Sequence, residues 1–230
     1  MTLCFDPQVA VDALGQQDRK LGRLMQRVGP FRLEPRKKLE NPFQSLLRAI
    51  VYQQLSGKAA ATIHGRVLAQ FDGRGGPKPE QILAAPEEAL RGCGLSRNKV
   101  AAVKDLAAKT AEGIVPDLRT LRRLDDEEII ARLVSVRGIG QWTVEMLLIF
   151  HLGRPDVLPT SDLGVRKGYM LTYRKPELPT KQELIDHGER WRPYRSVASW
   201  YMWRATEILR AKPQSADPPA TKSKRASKRS

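Results

Sequence analysis

The chain has 230 residues, enough for one large domain or two small ones around a buried core. Lys and Arg number 40 against 25 Asp and Glu, a formal net charge of +15, which points to a polyanionic partner, nucleic acid before an anionic membrane. The longest strongly apolar run, MLLIF, is far too short for a bilayer span, the N-terminus carries no signal-peptide pattern, and two cysteines with three scattered histidines offer neither a disulfide framework nor metal-ligand spacing. The expectation is a soluble, cytoplasmic or otherwise intracellular protein with no membrane partner.

In chain order, FRLEPRKKLE (31–40) reads as extended and marks a small irregular N-terminal region. PFQSLLRAIVYQQL (42–55) places Phe43, Leu46, Leu47, Ile50 and Val51 at three- and four-residue spacing, with Pro42 at a first helical position. Ser56 and Gly57 interrupt it, and KAAATIHGRVLAQF (58–71) resumes with Ala59, Ala60, Ile63, Val67, Leu68 and Phe71 on one face. DGRGGPKP (72–79) is a loop. PEQILAAPEEALRGCG (79–94) reads as two short helical turns, the second opened by Pro86. LSRNKVAAVKDLAAKTAEG (95–113) begins on a Ser cap and ends at Gly113. DDEEIIARLVSV (125–136) carries acids in its first turn, as the helix dipole favours.

LVSVRGIGQWTVEMLL (133–148) combines two helical segments with a tight turn. Leu133 and Val136 close one helix, Gly138 and Gly140 permit unusual backbone angles, and Thr143, Val144, Leu147 and Leu148 begin the next. Free backbone N–H groups without side chains in the way can bind a phosphate, although a plain helix–helix turn has the same pattern. Downstream, VLPTSDLGVRKG ends a Pro/Gly-rich loop on Asp162, at a helix N-terminus. The residues alone leave Asp162 as either a helix cap or a functional carboxylate. TKQELIDHGERW (180–191) and YRSVASWYMWRATEILRA (194–211) are helical. The segment 211–230 has six cations against one acid and no apolar anchors, so it reads as a disordered basic tail that adds nonspecific affinity for DNA. The fold expected is all-α, with roughly ten short helices. They form two lobes, the N-terminal segment packing with the C-terminal helices and the middle helices forming the other lobe.

Four segments in order carry a family resemblance. The hairpin with its sequel to Asp162 resembles the helix-hairpin-helix (HhH-GPD) DNA glycosylase superfamily. FQSLLRAIVYQQLSGKAA resembles its segment ahead of the wedge that enters the DNA stack. GLSRNKVAAVKDLA resembles a shared connecting segment, and WRPYRSVASWYMWR (191–204) resembles the C-terminal segment of the DNA-3-methyladenine glycosylase II branch. The resemblance spans about residues 42–204, and it implies one glycosylase domain over 1–210 with its motif at 133–168.

The resemblance also implies a partner, a chemistry and a set of site residues. The partner is double-stranded DNA holding a damaged base, and the protein works as a monomer on a base flipped out of the stack. Asp162 is the catalytic carboxylate, stabilising oxocarbenium character at the sugar and orienting or activating water. Strand-cleaving relatives carry a Schiff-base Lys where this chain has Trp142, so the enzyme is expected to be monofunctional, with water as nucleophile. Trp142 and Tyr194 are the candidates for the base pocket, where an aromatic face favours a cationic alkylated base. Trp200, Tyr201 and Trp203 are assigned to core or rim. The wedge lies among Gln53, Gln54, Leu55 and Ser56, with Gln54 and Leu55 both open. Arg137, Gly138, Ile139, Gly140 and Thr143 form the DNA-binding hairpin, and Lys58, Arg97, Lys99, Arg166 and Lys167 are nearby cations able to reach phosphates. No cofactor, metal or iron–sulfur cluster is expected, a monovalent cation at the hairpin aside. Two other readings stay open: a glycosylase for oxidised or deaminated bases, and a non-catalytic helix-hairpin-helix DNA-binding protein. A basic RNA-binding protein would account for the charge but not for Asp162.

Overall fold

The computed structural model describes residues 3–33, 41–71 and 76–209. Most of the extended reading of 31–40, the first half of the 72–79 loop and the 211–230 tail lie outside those residues. Among the described residues there are thirteen α-helices and no strand. Three of them are additional to those read from the sequence: α1 (Pro7–Gln17), α2 (Arg19–Val28) and the four-residue α8 (Leu118–Leu121). Helices α1 and α2 begin on aspartates that accept their first amides, Asp6 from Gln8 and Val9, and Asp18 from Lys20 and Leu21. Helix α1 has a weak apolar stripe, with only Ala10 and Leu14 buried, whereas α2 repeats Leu21, Leu24, Met25 and Val28 at i, i+3, i+4 and i+7, a helical pattern legible in the sequence.

The middle of the chain follows its punctuation closely. Pro42 opens α3 (Pro42–Tyr52), Ser56 caps α4 (Gly57–Ala69), Pro79 opens α5 (Pro79–Ala84), Pro86 precedes α6 (Glu87–Gly92), and Ser96 caps α7 (Arg97–Ala111). The acid-led α9 (Asp126–Val134) runs into the glycine turn and then α10 (Gln141–Leu147). Helix α10 continues without a break into a π-helical turn, Leu148–Leu152, which Gly153 ends in the left-handed region at φ 69°. Helices α11 (Leu163–Tyr173), α12 (Lys181–Gly188) and α13 (Arg195–Ile208) complete the fold, α12 through a Thr180–Glu183 capping box.

Two hydrophobic cores result. The first gathers the middle helices around Phe43, Leu46, Ile50, Leu106, Leu133 and Leu148. The second joins the N-terminal pair to the last three helices around Leu14, Leu21, Val165, Trp191 and Tyr201. Trp203 packs against both, so α13 reaches the seam between them. A buried polar tie holds the second core together. Asp18 accepts hydrogen bonds from the Tyr173 hydroxyl and the Trp191 indole, and its carboxylate lies 3.2 Å from His187 Nε2. Burial opposes ionisation of Asp18, but those bonds and the Leu21 amide outweigh it and hold the carboxyl far below its usual range.

Helices α11 and α13 cross at almost no distance. A Cβ on Gly168 would lie 1.9 Å from the Met202 carbonyl oxygen, so only glycine fits. Gly168→Ala is therefore expected to lower the melting temperature by about 5–10 °C or more through forced separation of the two helices. A thermal melt followed by circular dichroism checks it, and an unchanged melting temperature would count against this packing.

Candidate active site

The hairpin is anchored from below and open above. Val136 and Ile139 are buried, the Ile139 amide donates to the Val136 carbonyl at 3.0 Å, and Gly138 adopts φ +80°. Gly140 is the N-cap of α10 and no side chain caps that helix; the Thr143 amide turns back to the Gly140 carbonyl at 2.9 Å, and the Gln141 and Trp142 amides precede the first intrahelical bonds. The Arg137 amide points the other way and donates to Asp105 at 2.7 Å. The Gly138 carbonyl accepts from Gln53 Nε2 at 2.7 Å, and the Ser135 carbonyl accepts a short hydrogen bond from the Lys109 ammonium.

Asp162 is both a cap and something more. Its Oδ1 accepts from the Val165 amide at 2.8 Å, which starts α11. The same oxygen accepts from the Trp203 indole at 2.8 Å, and Oδ2 accepts from the Trp142 indole at 2.7 Å. Three N–H donors from three helices thus fix one carboxylate. Trp142 itself is 47% exposed, unusual for so large an apolar ring, and it leaves an aromatic face open beside the carboxylate. Phe150, from the π-helical turn, stacks on Trp203 with centroids 5.4 Å apart and planes 26° apart. A π turn inserts one residue into the helical register, which is how Phe150 comes to point toward α13. Gly164 makes the approach of α13 possible, because a Cβ there would sit 2.7 Å from the Trp203 ring and 3.0 Å from Asp162 Oδ1.

Of the aromatic residues expected at the base pocket, Trp142 meets Asp162 and Tyr194 does not. Tyr194 is the N-cap of α13, and its ring packs against Phe5 at 6.0 Å in the second core. Trp203, expected in the core or at the rim, packs on both cores and also donates to the carboxylate, while Trp200 and Tyr201 are buried in the second core. Gln54 has φ +57° and is exposed, a strained conformation for a non-glycine residue at the tip of the 53–56 loop. Leu55 is 39% exposed, and Ser56 caps α4. Lys58, Arg97 and Arg137 are exposed, and Thr143 and Lys167 are half-buried. Two of the expected phosphate contacts are engaged within the protein. Arg166 gives Nε and Nη2 to the Pro179 carbonyl, and Lys99 gives its Nζ to the Val51 and Gln53 carbonyls. Each bond satisfies a backbone acceptor that a helix end or a loop leaves free.

Sequence reasoning missed Trp203, Phe150, Gly164 and Glu145. Trp203 is 41 residues from Asp162 in a run holding three large aromatics, and nothing in its spacing says which one faces the site. Glu145 is 3% exposed on α10. Its Oε1 accepts from Gln141 Nε2 at 2.9 Å, and its Oε2 is buried without a partner. Burial pushes the Glu145 carboxyl above the ordinary glutamate value of 4.5, and the nearby Asp162 charge adds to this. A raised acid favours the folded state below its unfolded value, and that advantage is lost as pH rises through the folded one. Glu145→Gln is therefore expected to raise the melting temperature at pH 8, with the gap to wild type closing toward pH 4. Melts across that pH range measure it, and a variant that is no more stable at pH 8 would contradict the assignment.

Known proteins place this geometry. Residues 47–193 match the family model described as HhH-GPD superfamily base excision DNA repair protein. DNA-3-methyladenine glycosylase 1 of Schizosaccharomyces pombe is 39% identical over 191 residues, covering 83% of this chain and 84% of that one. The solved structure of the S. pombe 3-methyladenine DNA glycosylase in complex with abasic DNA superposes with a TM-score of 0.74 at 39% identity, covering 86% of this chain and 96% of that chain. A DNA-3-methyladenine glycosidase structure from Bacillus halodurans gives a TM-score of 0.77 at 38% identity, over 85% and 88% of the two chains. This chain belongs to the HhH-GPD superfamily of base excision DNA repair proteins.

Proposed function

We propose that this protein is a monofunctional DNA glycosylase that hydrolyses the N-glycosidic bond of alkylated bases of the 3-methyladenine class in duplex DNA. One observation carries the reading: an Asp162 carboxylate held by two indole N–H groups and a helix amide, beside an exposed aromatic face and next to an open glycine hairpin. The names of the relatives support the same substrate class.

The chemistry derives from the residues. The reacting C1′ cannot be reached inside the stack, so the nucleotide must leave it. The hairpin, with Arg137, Gly138, Ile139, Gly140 and Thr143, holds the backbone phosphate. The loop 53–56 fills the gap left by the base, and strained, exposed Gln54 is its leading residue. The everted base lies against Trp142 and the Trp203–Phe150 stack, whose electron-rich faces favour the positive charge of an N-alkylated purine over a neutral base. As the C1′–N bond breaks, its electron pair goes to the base, which leaves neutral and needs no proton. Positive charge grows at C1′, and the fixed Asp162 anion stabilises it without reorganisation. Water then bonds to C1′ and gives up one proton, for which Asp162 is the nearest base. Trp142 stands where strand-cleaving members of the fold carry an amine, so no covalent imine forms. The Ser135 and Gly138 carbonyls of the hairpin accept from Lys109 and Gln53, and the mechanism routes no step through a monovalent cation there.

Two variants test this reading. Asp162→Asn is expected to reduce release of 3-methyladenine from methylated duplex by about 100-fold or more while affinity for abasic duplex stays close to wild type. Chromatography of released bases, over duplexes with 3-methyladenine, 7-methylguanine, hypoxanthine, uracil or 8-oxoguanine, measures both rate and spectrum. Full activity of the variant would overturn the mechanism, and preferential release of a neutral base would overturn the substrate class. Trp203→Phe keeps a ring but removes one donor to the carboxylate. A hydrogen bond to a charged group is worth about 1.5–3 kcal/mol, so single-turnover release should fall about ten- to a hundredfold.

A further inference from the structure

Helix α7 touches both of the loops assigned to DNA, along one of its faces. On its first turn, Lys99 places Nζ 2.6 Å from the Val51 carbonyl and 2.8 Å from the Gln53 carbonyl, at the C-terminal end of α3, where such acceptors lack a helical partner. Gln53, whose carbonyl is held in this way, reaches across with its own side chain to the Gly138 carbonyl at 2.7 Å. One turn along α7, the Ala102 methyl lies 3.3 Å from where a Gly138 Cβ would be, so the hairpin rests on it. Another turn on, Asp105 accepts from the Arg137 amide at 2.7 Å. Lys109, 3.0 Å from Asp105, closes the row by donating to the Ser135 carbonyl. Positions 99, 102, 105 and 109 recur at helical spacing and form one stripe. The stripe fixes the wedge loop at one end and the hairpin at the other.

We propose that Lys99 is a positioning residue for base eversion: its ammonium sets the backbone from which the 53–56 loop enters the duplex and, through Gln53, ties that loop to the phosphate-holding hairpin. A flexible loop would yield when pushed into a stack. A loop entered through two carbonyls, Val51 at the end of α3 and Gln53, that are both bound to a half-buried ammonium on a rigid 15-residue helix would not. The amine faces α3 rather than solvent, which separates this role from phosphate contact. Lys99 carries no part of the bond-breaking chemistry, so its removal should affect eversion and leave the Asp162 site intact.

The inference rests on the glycosylase reading, and the experiment separates the two. Lys99→Met keeps the aliphatic stem and removes the donors. Single-turnover release of 3-methyladenine from a fully paired duplex is expected to fall about tenfold or more, with a parallel loss of the fluorescence rise of 2-aminopurine placed beside the lesion, which reports unstacking. When the lesion is placed opposite an abasic site and so is already unpaired, the deficit should shrink to about twofold. Gln53→Met, which cuts the tie to Gly138 but leaves the Lys99 bonds in place, should show the same pattern more weakly. Equal rates for Lys99→Met and wild type on paired substrate, or an equal deficit on paired and unpaired substrates, overturns the proposal. If Lys99→Met fails to fold, Gln53→Met decides by the same comparison. Absence of base release by the wild-type protein would instead overturn the glycosylase reading itself.

Discussion

Asp162 is held by hydrogen bonds that reach it from three helices, and much of the molecule exists to bring those donors together. The Val165 amide comes from α11, the Trp142 indole from α10 and the Trp203 indole from α13. A carboxylate accepts hydrogen bonds and cannot donate them, so three converging N–H groups define its position and its plane while part of the group remains accessible. Each donor has its own structural condition. Trp142 depends on the glycine turn that starts α10. Trp203 depends on Gly164 and Gly168, whose missing side chains let α13 lie directly on α11. Phe150, which backs Trp203, depends on the π-helical turn after α10.

This arrangement lies where the two hydrophobic cores meet, with Trp203 packed on both. A site at a seam is open to a large ligand and can still be rigid, because each side is supported by its own core. The polar ties within the cores serve the same end. Asp18 links the N-terminal helices to α11 and α12 through Tyr173, His187 and Trp191. Arg166 is bound to the Pro179 carbonyl behind α11. Under the proposed function the surplus positive charge of the chain acts at longer range, drawing the duplex in without reading its sequence. In the proposed mechanism base selection falls to the aromatic faces beside Asp162, where the charge of an alkylated purine is the distinguishing feature.

Basic side chains near the motifs divide into two kinds once packing is known. Lys58, Arg97 and Arg137 are exposed and free to meet phosphates. Lys99, Lys109 and Arg166 point to backbone carbonyls and hold loops in shape. Sequence proximity cannot separate these groups, because the same residue type serves either purpose. The direction of the side chain depends on whether an unsatisfied carbonyl lies within its reach.

Local chemistry made a good part of this protein legible in its sequence. Caps and prolines marked α3 to α7, acids marked α9, and the glycines at 138 and 140 with Asp162 marked the hairpin and its carboxylate, all of them features decided within a few residues. The weak stripe of α1 gave periodicity little to work with, α2 carries a helical pattern at Leu21, Leu24, Met25 and Val28 that sequence reasoning missed, and both helices pack on α13. The partners of Asp162 were legible only in part. Trp142 sits in the turn that defines the motif, whereas Trp203 and Tyr194 were indistinguishable aromatics in one C-terminal stretch. Which of them faces the carboxylate was decided by the crossing of α11 and α13, set by two glycines and a π turn that act over distances no local pattern encodes. The sequence by itself determined the helices with clear caps, prolines or acidic first turns, the hairpin and the carboxylate that follows it, since each depends on near-neighbour backbone chemistry. Tertiary packing alone decided which indoles hold that carboxylate and which cations brace the loops, since those depend on where helices distant in sequence come to lie.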